Sequence, residues 1–259
     1  MTAVDFGAFV DELASVSGEA ILPFFRTSLA VDNKGSGGFD PVTAADRAAE
    51  SAMRALIKRQ FPGYGVVGEE YGDERTDAEY VWVLDPIDGT KSFIHGMPTW
   101  GTLIGLTRFG EPVFGMMHQP FLRERFTGDG EAARYRGPAG PRDLRVRRCA
   151  SIADALISTT SPLLMKENDR AQFRRVEAKA KLSRYGGDCY GYCMLAAGHS
   201  DLVIETELKP YDILPLIPII TGAGGIVTTW DNGPAHRGGR IVAAGDKRVH
   251  AQALELLNG

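Results

Sequence analysis

The chain has 259 residues, of which 44% are hydrophobic and 24% charged, with a formal net charge of −4. That length suffices for a substantial core in one large domain or two closely joined halves, and the acidic balance argues against a dedicated nucleic-acid binder. No apolar run reaches the length of a membrane span, and acids stand near the N-terminus where a secretory signal needs positive charge, so a cytoplasmic location is the default expectation.

Phe6, Phe9, Val10, Leu13 and Val16 recur at helical spacing and predict an amphipathic helix reaching Phe25, kinked near Pro23. Residues 31–40 form a glycine-rich polar loop containing Lys34. A second helix is expected from Thr43 to Gln60, with Asp46 in its first turn, where the helix dipole alone favours a carboxylate. Tyr64 to Gly68 reads as a strand ending in Glu69-Glu70, and residues 71–79 as loop. Val81 to Leu84 then forms an apolar strand that stops at Asp85-Pro86-Ile87-Asp88-Gly89-Thr90.

Two carboxylates at a strand's end need a partner, and a hard divalent cation such as Mg²⁺ suits them. Pro86 restricts the backbone between them, and the N–H groups of Gly89 and Thr90 would face an anion such as phosphate if a helix starts there. An Asp-rich turn bonded to its own backbone is the commoner fate of such a string, so the string by itself leaves both readings open.

Residues 91–95 predict a helical turn, and residues 99–107, 112–119 and 122–127 predict strands, with a hairpin at Arg108 to Glu111. This half therefore reads as an antiparallel sheet with two helices against it. The arginine-rich segment 130–148, with little stacking aromatic content, reads as a solvated strand edge or linker rather than a nucleic-acid site, and we place the seam of the chain there. Beyond it strands (155–159, 182–185, 202–204, 226–230, 240–244) alternate with helices (165–180, 189–197, 213–221 and one from about Val249). Asp188 is placed to cap a helix. Asp212 opens an apolar, buried helix in which Pro215 is tolerated and Pro218 causes a kink. The expected organisation is one compact unit of two parts, 1–140 and 141–259. Cys149, Cys189 and Cys193 read as buried free thiols and the five histidines as structural or surface groups.

Three pieces in fixed order, Gly68-Glu69-Glu70, then Asp85-Pro86-Ile87-Asp88-Gly89-Thr90, then Tyr211-Asp212 followed by Gly222-Ala223-Gly224-Gly225, resemble the inositol monophosphatase family over nearly the whole chain. The resemblance implies an α+β fold layered α-β-α-β-α. It also implies two to three Mg²⁺ ions: one on Glu69, Asp85 and the Ile87 carbonyl, a second on Asp85, Asp88 and Asp212, and a third leaning on Glu69. Asp46 and Thr90 match the pair that orients and deprotonates the attacking water, Gly89 and Thr90 the phosphate contacts, and Lys34 a mobile-loop lysine. Substrate contacts carried over in this way are Asp88, Gly187, Asp188, Glu205 and Asp212. Tyr211 departs from the family's usual tryptophan.

The strings Thr90 to Ile94, Gly101 to Leu106, His118 to Arg125 and Gly187 to Tyr192 are similar to the histidinol-phosphate phosphatase branch. Its substrate carries an ammonium and an imidazole, so the pocket is expected to hold acids beyond the metal ligands, with Asp188 and Glu205 as candidates. The expected activity is Mg²⁺-dependent hydrolysis of L-histidinol phosphate in histidine biosynthesis. The alternatives are an inositol-phosphate or broad sugar-phosphate phosphatase and, from another class, a metal-bound regulatory or nucleic-acid-associated protein. The family further implies a homodimer and inhibition by Li⁺, and the acidic balance and the lack of a long apolar run lead us to expect no nucleic-acid or membrane partner.

Overall fold

Three-to-four apolar spacing at the start of the chain becomes two packed helices, and period-two patterning becomes two sheets. The computed structural model describes residues 6–27, 31–33 and 41–259, so Lys34 and most of its loop lie outside the described residues. Helix α1 (Phe6–Ile21) ends in a 3₁₀ turn at Leu22–Phe24, so the expected kink near Pro23 is instead the helix end. A short strand pair, β1 (Val31–Asn33) and β2 (Pro41–Thr43), leads into α2 (Ala44–Gln60).

The first sheet comprises β3 (Gly65–Gly68), β4 (Gly72–Glu74), β5 (Tyr80–Asp88), β6 (Gly101–Arg108), β7 (Glu111–Gln119), β8 (Glu124–Gly128), β9 (Ala133–Arg136) and β10 (Arg142–Asp143). Its order is β10-β9-β8-β7-β6-β5-β3-β4, antiparallel except for the parallel β3–β5 pair. Short helix α3 (Thr90–Ile94) follows β5. One expectation is corrected here, since residues 71–79 contain β4; the arginine-rich segment, read as a strand edge or linker, supplies edge strands β9 and β10 of the first sheet. Several of its arginines are engaged locally, Arg136 with Asp11, Arg147 with Asp201, and Arg142 4.3 Å from the centre of the Tyr135 ring.

The second sheet contains β11 (Leu156–Thr159), β12 (Leu182–Tyr185), β13 (Leu202–Leu208), β14 (Ile226–Thr229) and β15 (Gly239–Ala244) in the order β12-β11-β13-β15-β14, with parallel and antiparallel pairs. Its helices are α4 (Glu167–Glu177), α5 (Asp188–Ala196), α6 (Pro210–Ile213), α7 (Ile217–Gly222) and α8 (Lys247–Asn258). The single helix expected over 213–221 is broken by a 3₁₀ turn at Leu214–Leu216, because Pro215 removes a backbone donor there.

Alternating side chains assign the layers. On β13 Leu202 and Ile204 join a core with Phe173, Val249 and Leu257 of α4 and α8, whereas Val203 faces a core with Cys193, Ile219 and Phe126. On the first sheet Met116 packs toward α1 and α2 and Met117 toward α5 and α7. The order of layers is therefore α1/α2, first sheet, α5–α7, second sheet, α4/α8, an α+β sandwich of the α-β-α-β-α kind. Among the described residues no helix is long and apolar enough to cross a membrane.

Candidate active site

Strand β5 stays paired beyond the point where its sequence turns polar. Asp85 lies opposite Leu103 and Asp88 opposite Gly101, so three steps along β5 match two along β6, a bulge at Pro86-Ile87. In a regular strand residues three apart face opposite sides; the extra residue brings Asp85 and Asp88 to the same side. The Thr102 hydroxyl donates to the Pro86 carbonyl at 2.8 Å and fixes the distortion. Asp212 arrives from the central helix layer, in the first turn of α6, where its carboxylate accepts the Lys209 N–H at 2.7 Å. Carboxylate oxygens of Asp85, Asp88 and Asp212 all lie within 4.8 Å of one another.

Such crowding raises all three pKa values. For Asp85, 2% exposed, the cause is burial first and then the charges of Glu69, Asp88, Asp212 and Asp46. For Asp88 it is burial, then Asp188 and Asp212; for Asp212 it is burial, opposed by the Lys209 N–H and reinforced by Glu69. Asp85 Oδ1 is buried with no hydrogen-bond partner, an arrangement that costs free energy unless a cation completes it. An all-oxygen, anionic donor set with a buried open oxygen fits a hard divalent cation.

The other expected residues surround this cluster. Glu69 follows β3 and donates its N–H to the Leu84 carbonyl at 3.3 Å. Asp46 is buried in the first turn of α2. Gly89, at φ 83°, precedes α3, and the Thr90 hydroxyl donates to the Ile87 carbonyl at 3.1 Å. Beneath them Ile87 packs with Phe25, Phe93 and Trp100, whose rings stand 5.0–5.3 Å apart and seat α3.

Asp188 does not cap α5. Its own φ is 43°, and its carboxylate accepts the Ser92 hydroxyl at 2.5 Å, with Thr160 alongside. The start of α5 faces Asp88 instead, Cys189 N–H donating to Asp88 Oδ2 at 2.6 Å. Asp188 thus separates the carboxylate cluster from a cavity of about 460 Å³ lined by Lys91, Ser92, Thr160, Arg184 and Tyr185 among others, a volume suited to a small ligand. Burial raises the Asp188 pKa against the pull of its hydroxyl partners. Glu205, 6% exposed, is not part of that lining; it accepts the Thr159 hydroxyl and the Thr160 N–H, and burial pushes it up to about 7. Gly187 precedes α5, and Glu207 pairs with Lys166 on the surface. The cavity wall is therefore mixed, with Asp188 beside two cations, rather than acidic throughout.

One buried acid near the site escaped the sequence reading. Glu50, 0% exposed, accepts the N–H groups of Glu70 and Tyr71. Its signal was a charged residue inside the apolar stripe of α2.

A model of the inositol monophosphatase family matches residues 5–258. A chloroplastic bifunctional phosphatase of Arabidopsis thaliana, IMPL2, is 43% identical over 97% of this chain and 75% of its own length. The histidinol-phosphatase of Mycobacterium tuberculosis is 34% identical over 100% of this chain and 97% of its own. Among solved structures, an inositol monophosphatase from Zymomonas mobilis aligns with a TM-score of 0.87 at 40% identity over 97% of each chain. Likeness that runs almost from end to end admits one conclusion: this chain belongs to the inositol monophosphatase family.

Proposed function

We propose that this family phosphatase hydrolyses L-histidinol phosphate to L-histidinol and phosphate with Mg²⁺ as cofactor. The observation that carries the substrate reading is Asp188, a carboxylate on the cavity wall that is hydrogen-bonded to hydroxyls, with the charge of Lys91 near it. A substrate ammonium completes it, as a neutral polyol does not. The histidinol-phosphatase of M. tuberculosis supports the same choice by likeness.

In this reading Glu69, Asp85 and the Ile87 carbonyl would hold one ion, Asp85, Asp88 and Asp212 a second, and Glu69 a weaker third. Bound there, divalent cations would neutralise phosphate oxygens and lower the pKa of a water, chemistry suited to in-line cleavage of a phosphomonoester without a covalent enzyme intermediate. Thr90 Oγ1 orients that water and the Asp46 carboxylate takes its proton. Backbone N–H groups of Gly89 and Thr90 face the phosphate. Gly187 and Asp188 receive the alcohol end, and Glu205 stands behind Thr160 as a buried carboxyl group.

Asp188→Asn tests the reading by phosphate release. KM for histidinol phosphate should rise by about tenfold or more, the equivalent of about 1.4 kcal/mol, while inositol 1-phosphate hydrolysis stays within about twofold; equal losses on both would sink it. A second reading, an inositol-phosphate phosphatase, draws on Lys91 and Arg184 in the cavity wall. A wild-type kcat/KM for histidinol phosphate about a hundredfold above that for inositol 1-phosphate, or about 2.7 kcal/mol, separates the two.

A further inference from the structure

Helix α2 carries three buried charges at four-residue intervals, Asp46, Glu50 and Arg54, and hence on one face. The Glu50 carboxylate is saturated by donors. Oε2 accepts Glu70 N–H at 2.7 Å, and Oε1 accepts Tyr71 N–H at 3.1 Å and Arg54 Nε–H at 2.7 Å. Arg54 continues to the Gly72 carbonyl. Three consecutive backbone groups after Glu69 are thus tied to one helix, and Glu69 N–H is tied to Leu84 of β5.

That turn lies where β3 leaves its parallel partner, so its N–H groups have no ladder to join and need another acceptor. A carboxylate fully buried beside an arginine is a poor source of net stability, since desolvation offsets most of the attraction; the best-attested use of such a group is to fix register. Here the register fixed is that of the residue preceding Glu70.

We propose that Glu50 is a positioning residue: by holding the N–H groups of Glu70 and Tyr71 it sets the reach of Glu69 toward the Asp85, Asp88 and Asp212 oxygens before any cation binds. The proposal rests on the reading of Glu69 as a metal ligand. Asp46 and Glu50 share a helix face, so α2 aligns both the proton acceptor and the turn that carries Glu69.

The test has two arms. In the wild-type protein, amide hydrogen exchange of Glu70 and Tyr71 is measured with EDTA and with Mg²⁺; protection in both conditions is expected, and protection only with Mg²⁺ overturns the proposal. In the second arm, Mg²⁺ affinity is measured by calorimetry for Glu50→Gln, Glu69→Gln and Met53→Ala, the last removing buried volume from the same helix without touching the turn. Glu50→Gln should weaken Mg²⁺ binding by about tenfold or more, as loss of outer-shell support does elsewhere, while Met53→Ala lowers Tm and leaves affinity within about twofold. A Glu50→Gln protein that behaves as Met53→Ala does marks a merely structural role and overturns the proposal. If Glu69→Gln leaves affinity unchanged, the ligand reading of Glu69 falls; if Glu69→Gln weakens binding and Glu50→Gln does not, only the positioning role falls. Should Glu50→Gln fail to fold, the exchange arm on the wild-type protein decides alone.

Discussion

His118 illustrates how burial reshapes a single titratable group away from the carboxylates. It is 6% exposed, and its Nδ1 lies 3.2 Å from the Glu124 carbonyl, which only accepts, so Nδ1 carries the proton of the neutral ring. Burial, helped by the charge of Arg125, pushes its pKa down to about 4. Because the unfolded chain binds this proton more readily than the folded one, stability is fully present above the ordinary histidine value. It is lost as pH falls toward the folded value. The contribution is at most about 3 kcal/mol between pH 6.5 and 4. His118→Asn keeps a donor toward the Glu124 carbonyl and removes the titration. Urea unfolding midpoints measured across that window should therefore fall less steeply in the variant, and parallel slopes would rule out the assignment. At the same scale, Glu205→Gln should raise KM for histidinol phosphate less than Asp188→Asn does, since Glu205 lies behind Thr159 and Thr160 rather than on the cavity wall.

Among the elements, the broken helix α6–α7 matters most for the site, because it delivers Asp212. It settles into a groove made by three glycines in register across neighbouring strands, Gly105 on β6, Gly115 on β7 and Gly128 on β8. A methyl group on Gly115 would stand 1.7 Å from the Pro215 carbonyl oxygen, so a side chain there forces the 3₁₀ turn away from the sheet. Gly115→Ala should destabilise by about 1–3 kcal/mol through overpacking and also raise the Mg²⁺ concentration needed for activity, since Asp212 is displaced with α6. A thermal scan within error of the wild type would show that the seat is looser than the structure has it. None of this was legible in the sequence. The three glycines are separated by ten and thirteen residues, and only strand register brings them into line. The break at Pro215 rather than Pro218 comes from the donor that Pro215 lacks, and the glycine seat accommodates it, where local propensity predicted a single kinked helix. What was legible was contiguous: the apolar periods of α1 and α2, and the acids of β5 lodged in one string. Glu50 was hidden because its acceptor role is toward backbone twenty residues away, and Asp188 was misread as a cap because its left-handed φ of 43° turns the carboxylate toward Ser92.

Over the whole molecule, the carboxylates converge from three layers: Asp46 from the outer helices, Asp85 and Asp88 from the first sheet, and Asp212 from the central helices. Their mutual repulsion is a global stability term, and its sign follows from the raised pKa values. A carboxylate whose folded pKa is raised favours the folded state while it is protonated, below the ordinary carboxylate value, and that contribution is lost as pH rises through the raised value. Without divalent cations the protein should therefore lose stability between pH 5 and 8. A cation that binds the ionised cluster reverses the loss, contributing RT ln(1 + [L]/Kd), about 2.7 kcal/mol at a hundredfold excess over Kd. Scanning calorimetry in EDTA and in Mg²⁺ should then give a Tm increment that grows from pH 5 to pH 8, and an increment independent of pH would place the ion elsewhere. Asp85→Asn sharpens the test: with one buried charge gone, the variant should be more stable than the wild type in EDTA at pH 8, yet gain little from Mg²⁺ and release no phosphate. Stability gained and activity lost through the same substitution is the signature of a cluster kept for its chemistry rather than for folding.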